Sequence, residues 1–416
     1  MSILGLKEAE VAPLIRAVAG EHLDGDELRE RFARSAWTGI VEPGDRVAGV
    51  LIERLGATEA LDAVVSRAST ESIAERVDSE LGLDELEQAL ARWTPRLQSR
   101  VALLALKQAA RYAVRLLIPG DPAWPAGFAD LGAHAPIALW LRGNESALAG
   151  VGASVALVGA RAATGYGEHV AMEASAGLVD RGYTIVSGAA YGIDGMAHRA
   201  ALASSGQTTA VLAGGVDRFY PSGHEALLTR IVEEGAVVSE LPCGAAPTKW
   251  RFLQRNRLIA AMSEATIVLE AGRRSGSLNT AGHAAALGRP LGAVPGPVTS
   301  AASAGCHRLI RDFGAVCVTN AEEMAELAPL PGATGAQDAA PGPAGLPGPS
   351  ADRLRVMDAL SARSARIVDD IAARSGLSVA AVQGVLGALQ LEGTAAERAS
   401  GWVRIAQPST ARAAAN

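Results

Sequence analysis

The sequence has few of the residues that mark secreted, metal-bound or membrane-embedded proteins. Only three of its 416 residues are cysteines, Cys243, Cys306 and Cys317, and no two of them form a C-x-x-C pair. This number and spacing excludes a disulfide framework or a zinc knuckle and fits a reducing compartment. No apolar run approaches the roughly 18 residues of a membrane span, and Lys7 and Glu8 interrupt the N-terminus before a signal-length segment forms. We therefore expect a cytoplasmic protein without a membrane partner.

Aromatic side chains are also scarce, at 4% of the chain, whereas glycine occurs 46 times. The core is therefore expected to consist mainly of Val, Leu, Ile and Ala. With 49% hydrophobic residues, a chain of this length is large enough for two or three domains with at least one sizeable core. Wholesale disorder is excluded.

The net charge of −6 is unevenly distributed along the chain. Residues 1–153 carry 16 basic and 22 acidic side chains, residues 154–320 carry 14 and 12, and residues 321–416 carry 8 and 10. Net negative charge repels a polyanion such as nucleic acid. The middle segment, which alone has an excess of basic residues, is therefore the candidate for phosphate contacts.

Composition divides the chain into four segments. Residues 1–115 have apolar residues at helical spacing, which predicts a helical domain, and contain no catalytic constellation. Residues 116–325 carry the regular pattern described below. Residues 329–350 contain six prolines and five glycines, which predicts a linker without a core. Residues 351–406 predict a winged-helix-like domain, with helices at 352–362, 365–375 and 378–391 and a β wing at 395–405.

The middle segment alternates short apolar runs with stretches long enough for a helix. This alternation predicts βα units around a buried parallel sheet, in which ligands bind beyond the carboxyl ends of the strands. The predicted strands are 155–159, 184–188, 208–213, 236–241, 266–271, 291–294 and 315–319, preceded by one at 137–142.

Two loops that follow predicted strands have the composition of anion-binding turns. Gly159 and Arg161 precede a helix, where free backbone N–H groups and a guanidinium bind phosphate well. A tight turn that only reverses the chain is an equally good explanation, because the spacing matches neither G-x-G-x-x-G nor Walker A. Ser275, Gly276 and Ser277 open a second helix and predict a second phosphate site, with helix capping as the alternative.

The segment KWRFLQRNR, residues 249–257, is the most informative. It combines four cations with two aromatic rings in nine residues without one acid. A single strand requires this combination, because cations neutralise its phosphates while rings stack on its bases. A solvated basic helix start is the alternative, but it does not account for the rings. The candidate contacts are Lys249, Arg251, Phe252, Arg255, Asn256 and Arg257.

A pair of titratable residues follows the second predicted strand. Asp194 and His198 are four residues apart, which is compatible with an acid–base pair or half a metal site. The favoured alternative is that Asp194 caps a helix and His198 packs against its surroundings. The sequence contains no G-x-S-x-G or Walker A motif, so we expect no catalytic residue, no metal and no cofactor.

Taken together, the motifs resemble the DNA-processing protein A family (DprA, also called Smf). The similar runs are VALVGARAATGYG, IVSGAAYGIDGMAHRAAL, AVLAGGVDRFYPSGH, SELPCGAAPTKWRFLQRNRLIAAMS, EAGRRSGSLNTAGHAAALGRP and AVPGPVTSAASAGCHRLI, in that order over about 170 residues. The resemblance implies an extended Rossmann-like, doubly wound sheet with an N-terminal all-α, SAM-like or helix-hairpin-helix-like domain and a C-terminal winged helix. It further implies a homodimer that binds single-stranded DNA without sequence preference and protects incoming or exposed strands. Such a protein loads a RecA-type recombinase onto the strand during natural transformation or related homologous recombination.

The resemblance assigns DNA contacts residue by residue. It implies a phosphate contact at Gly159 and Arg161, and three further elements, namely Lys249 with Phe252 as the base-contacting ring, Arg255 to Arg257, and Ser275 to Ala281 with Ser277 and Thr280. Three positions depart from the family pattern: Leu253 replaces a common Pro, Tyr191 a common Arg, and His224 a common Asn. The loss of one loop cation is expected to weaken DNA binding, whereas a tyrosine at this position can still stack on a base.

An enzyme that acts on a nucleotide is the alternative function, because related Rossmann-like folds use similar glycine loops. Such an enzyme would be expected to carry a Pro-Gly-Gly-x-Gly-Thr-x-x-Glu loop, which the sequence lacks. The enzyme hypothesis also gives no role to the four cations and two rings within residues 249–257.

Overall fold

The computed structural model of the chain describes residues 2–77, 80–149, 153–330 and 351–405. Most of the predicted linker, residues 331–350, lies outside the described residues. The expected domain boundaries therefore stay predictions.

The N-terminal part is helical, as its apolar spacing predicts, and follows a short hairpin of β1 (Ser2–Ile3) and β2 (Leu6–Lys7). Asp24 begins the second helix by accepting the N–H groups of Asp26 and Glu27, a local signal that needs no tertiary contact. The helices are α1 (Glu8–Ala19), α2 (Gly25–Ile40), α3 (Arg46–Leu55), α4 (Ala57–Val65), α5 (Thr70–Arg76), α6 (Leu83–Trp93) and α7 (Ser99–Arg111).

The described strands of the middle part form a nine-stranded sheet in the order β11-β10-β9-β5-β6-β7-β8-β4-β3. β3 pairs antiparallel with β4, and β4 pairs antiparallel with β8, whereas all other neighbours are parallel. The α/β fold predicted from the sequence is confirmed, with each predicted strand present. Their bounds are β3 (Arg115–Leu117), β4 (Leu139–Gly143), β5 (Ser154–Gly159), β6 (Thr184–Ser187), β7 (Thr208–Val211), β8 (Ala236–Ser239), β9 (Ala265–Glu270), β10 (Leu291–Ala293) and β11 (Val316–Cys317).

Helices cover both faces of this sheet, and apolar side chains fill the space beneath them. The central strands are buried along their whole length, which explains why they form continuous rather than alternating apolar runs. The helices are α8 (Ser146–Ala149), α9 (Gly165–Asp180), α10 (Ile193–Ala203), α11 (Glu225–Glu234), α12 (Lys249–Met262), α13 (Ser277–Ala286), α14 (Ala304–Asp312) and α15 (Ala321–Glu326).

The strand order reverses between β5 and β9. From β5 the chain proceeds through β6, β7 and β8 on one side, and then returns to place β9 on the other side of β5. The loops after β5 and β9 therefore diverge and leave a crevice at the carboxyl ends of these strands. Open α/β sheets bind their ligands at this kind of switch point.

The C-terminal part has the predicted winged-helix-like architecture of three helices and a two-stranded wing. Its elements are α16 (Ala351–Ala359), α17 (Val368–Ser375), α18 (Val379–Leu391), β12 (Ala395–Arg398) and β13 (Gly401–Arg404). Val382, Leu386 and Leu389 of α18 are buried in its core, as their helical spacing predicts.

Among the described helices, no single one is long and apolar enough to cross a membrane. The bent pair α17 and α18, at 104° to each other, satisfies the criteria of length and composition alone.

Candidate nucleic-acid interface

A groove of about 1040 Å³ lies at the switch point between β5 and β9. The loop after β5, the loop after β9 and the first turns of α12 form its walls. Ten of the twelve DNA contacts predicted from the sequence line this groove: Gly159, Arg161, Lys249, Phe252, Arg255, Asn256, Ser275, Gly276, Ser277 and Thr280.

One face of α12 forms the centre of the groove. Lys249, Phe252 and Asn256 are three or four residues apart and therefore share this face. The guanidinium of Arg161, on the opposite wall, lies 4.8 Å above the Phe252 ring, and the Tyr220 ring lies 5.6 Å from it, centroid to centroid. A partly exposed ring thus lies beneath an exposed cation, an arrangement suited to a stacked base and its phosphate.

Arg255 lines the groove as part of its floor rather than as a free cation. Its guanidinium donates to the carbonyl oxygens of Gly188, at 2.7 Å, and Val211, and burial lowers its pKa to about 10. The nearby Asp194 carboxylate is also buried, which raises its pKa, while the charge of Arg255 opposes that shift. The two charges therefore compensate each other, and the floor adds little net attraction for an anion.

Arg251 does not reach the groove, contrary to the expectation from the sequence. Its guanidinium forms two parallel hydrogen bonds with the Glu42 carboxylate of the N-terminal part, at 3.0 and 2.7 Å. Burial alone would raise the pKa of Glu42, but Arg251 and Arg96 outweigh it and lower the pKa to about 2. Arg251 therefore joins two parts of the chain.

Arg257 also faces away from the groove and is only 3% exposed. It forms a buried ion pair with Glu240. Burial raises the pKa of Glu240, and Arg257 opposes this shift. Helical periodicity explains why Arg251 and Arg257 both lie outside the groove. Successive side chains are rotated by about 100°, so those of nine consecutive residues point in all directions around the helix axis. Only some of the four cations can then face one strand of DNA.

The helix that follows the Gly159 loop already has an anion at its N-terminus. The buried carboxylate of Glu270 accepts the backbone N–H of Thr164 at 2.8 Å and its hydroxyl at 2.6 Å. This corrects the expectation of a phosphate cradle at the N-terminus of α9. A Cβ at Gly159 would lie 2.5 Å from the Ile193 side chain, so close packing explains this glycine. Arg161 remains the phosphate-binding candidate of this loop.

The N-terminus of α13 is open to the groove. Gly276 precedes this helix without a side-chain cap, and the hydroxyls of Ser275 and Ser277 lie 2.7 Å apart beside it. The side-chain amide N–H of Asn256 donates to the side-chain oxygen Oδ1 of Asn279 at 3.1 Å and so fixes α13 against α12. Backbone N–H groups and hydroxyls at a helix N-terminus form a good phosphate site.

The N-terminus of α12 is covered by the C-terminal part. The Asp358 carboxylate of α16 accepts the backbone N–H groups of Lys249, at 2.5 Å, and Trp250, at 3.3 Å. Leu354 and Asp358 both line the groove. No local pattern in the sequence indicates this contact, because the partners are more than 100 residues apart.

Two further groove residues were missed by the sequence analysis. Arg274 is exposed in the loop after β9, and Tyr220 is 50% exposed beside Phe252. The sequence signals that could have identified them were the second arginine of GRRSGS and the aromatic residue in the loop after β7.

Asp194 and His198 do not form a hydrogen-bonded pair within the described residues, and the His198 ring instead contacts the Thr208 hydroxyl at 2.7 Å. Burial lowers the pKa of His198 to about 3.

The parallel sheet, the basic groove at its switch point and the appended winged helix define a Rossmann-like protein built to bind a polyanion. Residues 115–329 match the DNA recombination-mediator protein A family, and residues 339–401 match the DprA winged helix domain. The chain belongs to this family.

A curated relative and a solved structure agree with this assignment. A putative DNA processing protein DprA of Mycobacterium tuberculosis is 48% identical over 311 residues, which cover 72% of this chain and 79% of the relative. The X-ray structure of DNA processing protein A from Streptococcus pneumoniae superposes with a TM-score of 0.57 at 30% identity, covering 73% of this chain and 98% of that one. A structure of the Helicobacter pylori protein, described for its single-stranded DNA binding mode, has 28% identity and a TM-score of 0.46 and covers 51% and 93% of the two chains.

Proposed function

We propose that this protein is a DNA-processing protein whose switch-point groove binds single-stranded DNA without sequence preference. The observation that carries the proposal is that Arg161, Lys249 and Arg274 line one groove together with the Phe252 ring, above which the Arg161 guanidinium lies. The cations are exposed and their charge is available to phosphates, whereas the ring offers a stacking surface to any base. Hydroxyls and backbone N–H groups at the start of α13 supply a further phosphate site.

We further propose that the protein acts as a cytoplasmic homodimer without catalytic activity and loads a RecA-type recombinase onto the bound strand during transformation. These properties are supported by membership of the family. They require tests of their own, by mass determination in solution and by recombinase filament formation on covered DNA.

The test of DNA binding compares an oligo-dT strand with a duplex of equal length, in one protein preparation and at several salt concentrations. We expect the single strand to bind more tightly, with an affinity that falls as salt rises. A nucleotide-hydrolysis assay on the same preparation tests the alternative enzyme. Hydrolysis without strand binding would overturn the proposal.

A further inference from the structure

An exposed basic face of α7 lies outside the groove. Arg100, Lys107 and Arg111 are seven and four residues apart, so they align on one side of the helix, and all three are exposed. Residues 99–120 contain four basic residues and no carboxylate, although residues 1–153 carry an excess of six acidic ones. Within the described residues, none of these three cations forms an ion pair. The fourth basic residue, Arg115, pairs with Glu145.

Rings and cations alternate from the end of α7 towards the sheet. The guanidinium of Arg111 lies 5.7 Å from the Tyr112 ring centre, and that of Arg142 lies 5.4 Å from the same ring. Arg142 also lies 5.0 Å from the ring of Phe219, in the loop after β7. This alternation has the composition expected of a surface that binds a single strand.

The chain itself connects this series of contacts to the groove. Phe219 is followed by Tyr220, whose half-exposed ring lies 5.6 Å from Phe252. Asp217 lies in the same loop, but its carboxylate accepts the backbone N–H of Gly244 at 2.8 Å. The groove and the basic face of α7 are therefore joined by a short run of rings and cations.

We propose that a single strand held in the groove leaves it past Tyr220 and Arg142 and continues along α7, where Arg100, Lys107 and Arg111 bind its phosphates. This inference rests on the proposed function, since it needs a strand in the groove. An acidic protein segment would also suit the three cations, but it would have no use for the interleaved rings or for their continuity with the groove. The 13 residues of α7 span about 20 Å, enough for several nucleotides beyond the groove.

The test uses two oligonucleotides, one of about six thymidines that fills the groove and one of about twenty that extends beyond it. In the double variant Lys107→Ala/Arg111→Ala, we expect about fivefold weaker binding of the long strand and a log–log salt slope flatter by about 1.4, for two lost contacts. Binding of the short strand should not change. Tyr112→Ala should weaken binding of the long strand without changing its salt slope.

The matched control is Arg181→Ala/Arg199→Ala, which removes the same charge from exposed positions near α9 and α10 outside the groove lining. If both double variants bind the long strand equally well, the proposed path along α7 is wrong. If the unmodified protein binds neither strand, the proposed function fails as well.

A separate observation concerns the end of the groove at α12. Asp358 places a carboxylate on the two backbone N–H groups that begin this helix, and neighbouring Arg355 lies 5.5 Å from the Trp250 ring. A helix N-terminus attracts one anion, so a DNA phosphate and this carboxylate compete for the same place. We infer that the C-terminal part restrains DNA binding and that an entering strand displaces Asp358, an inference that again requires the groove to bind DNA.

Asp358→Ala in the full chain tests this restraint. We expect about three- to tenfold tighter binding of the six-thymidine strand, because two N–H groups become available and a repelling charge is lost. Asp369→Ala is the matched control, since it removes an exposed carboxylate of the same part of the chain away from the groove lining. Equal affinities in the two variants would overturn the inference, whereas absence of binding in all proteins would overturn the proposed function.

Discussion

Tyr191 and His224 lie edge to face, with ring centroids 4.8 Å apart and planes at 72°. They are two of the three positions that depart from the family pattern, and the structure brings these two departures into contact. The Tyr191 hydroxyl also accepts the backbone N–H of Gly223 at 3.2 Å. The pair thus keeps the loop after β6 attached to the turn that begins α11, although it supplies no positive charge.

Restoring the cation at this position should strengthen DNA binding. Tyr191 is 47% exposed, and its neighbour Ala190 lines the groove, so an arginine there can reach a phosphate. For Tyr191→Arg we expect tighter oligo-dT binding and a salt slope steeper by about 0.7, the value for one single-strand contact. Tyr191→Phe, which keeps the ring and adds no charge, should leave the slope unchanged. A slope equal in both variants would contradict the prediction.

Lys249→Ala should weaken binding of oligo-dT and flatten the salt slope by about 0.7, because an exposed cation of the groove is lost. The measurement is a fluorescence titration at several salt concentrations. Arg181→Ala removes an equal charge from outside the groove lining and should leave the slope as it was. An unchanged slope for Lys249→Ala would mean that this side chain does not contact phosphate.

Arg257→Ala should act on stability rather than on salt dependence. The substitution leaves the buried Glu240 carboxylate without its partner, which typically costs about 3 to 5 kcal/mol. Denaturant unfolding should therefore give a lower midpoint. Any folded fraction should bind oligo-dT with the salt slope of the unmodified protein, and a flatter slope would show that Arg257 contacts DNA after all.

Phe252→Ala should lower the affinity for oligo-dT by about 1 to 3 kcal/mol, the usual contribution of one stacked base. The salt slope should change little, because stacking releases few counterions. Phe252→Trp retains a ring and should bind more tightly than the alanine variant. If the alanine variant instead loses as much slope as Lys249→Ala, the ring acts mainly by positioning Arg161, which lies above it.

Glu42 should make the protein sensitive to acid. Its pKa is lowered to about 2 in the folded chain against a usual value of 4.5, so the ionised carboxylate stabilises the fold at neutral pH. This contribution, about 3 kcal/mol, is lost as the pH falls from about 4.5 towards 2. Glu42→Gln should be less stable at pH 7, because Arg251 and Arg96 remain buried without their counter-charge. Thermal unfolding should then depend less on pH in that window, and an unchanged pH dependence would contradict the assignment.

The sequence was sufficient for the strands of the sheet and for the location of the groove. Each strand is an apolar run bounded by local turn signals, and the switch-point rule places the loops after β5 and β9 together once their order is known. The order itself was not predicted: the family resemblance implies a doubly wound sheet, and the structure supplies the sequence of neighbouring strands.

Side-chain directions in α12 could not be predicted in the same way. Arg251 pairs with Glu42, which is 209 residues away, and Arg257 pairs with Glu240 across a different surface of the same helix. The composition of residues 249–257 shows how many cations the segment carries. It does not show which carboxylates tertiary packing places next to them. The contact of Asp358 with Lys249 was equally inaccessible, because it depends on how the C-terminal part packs against the sheet.

The Glu42 carboxylate lies where three parts of the chain meet. Arg96 approaches it from the N-terminal helices and Arg251 from α12, and a Cβ at Gly376, after α17, would lie 2.4 Å from its side chain. A chimera that takes its C-terminal part from a relative can preserve this junction only if the donor also has glycine at the position of Gly376, where φ is +66°. Domain exchange among relatives is therefore limited by one buried carboxylate, whatever the length of the segment that connects the exchanged parts.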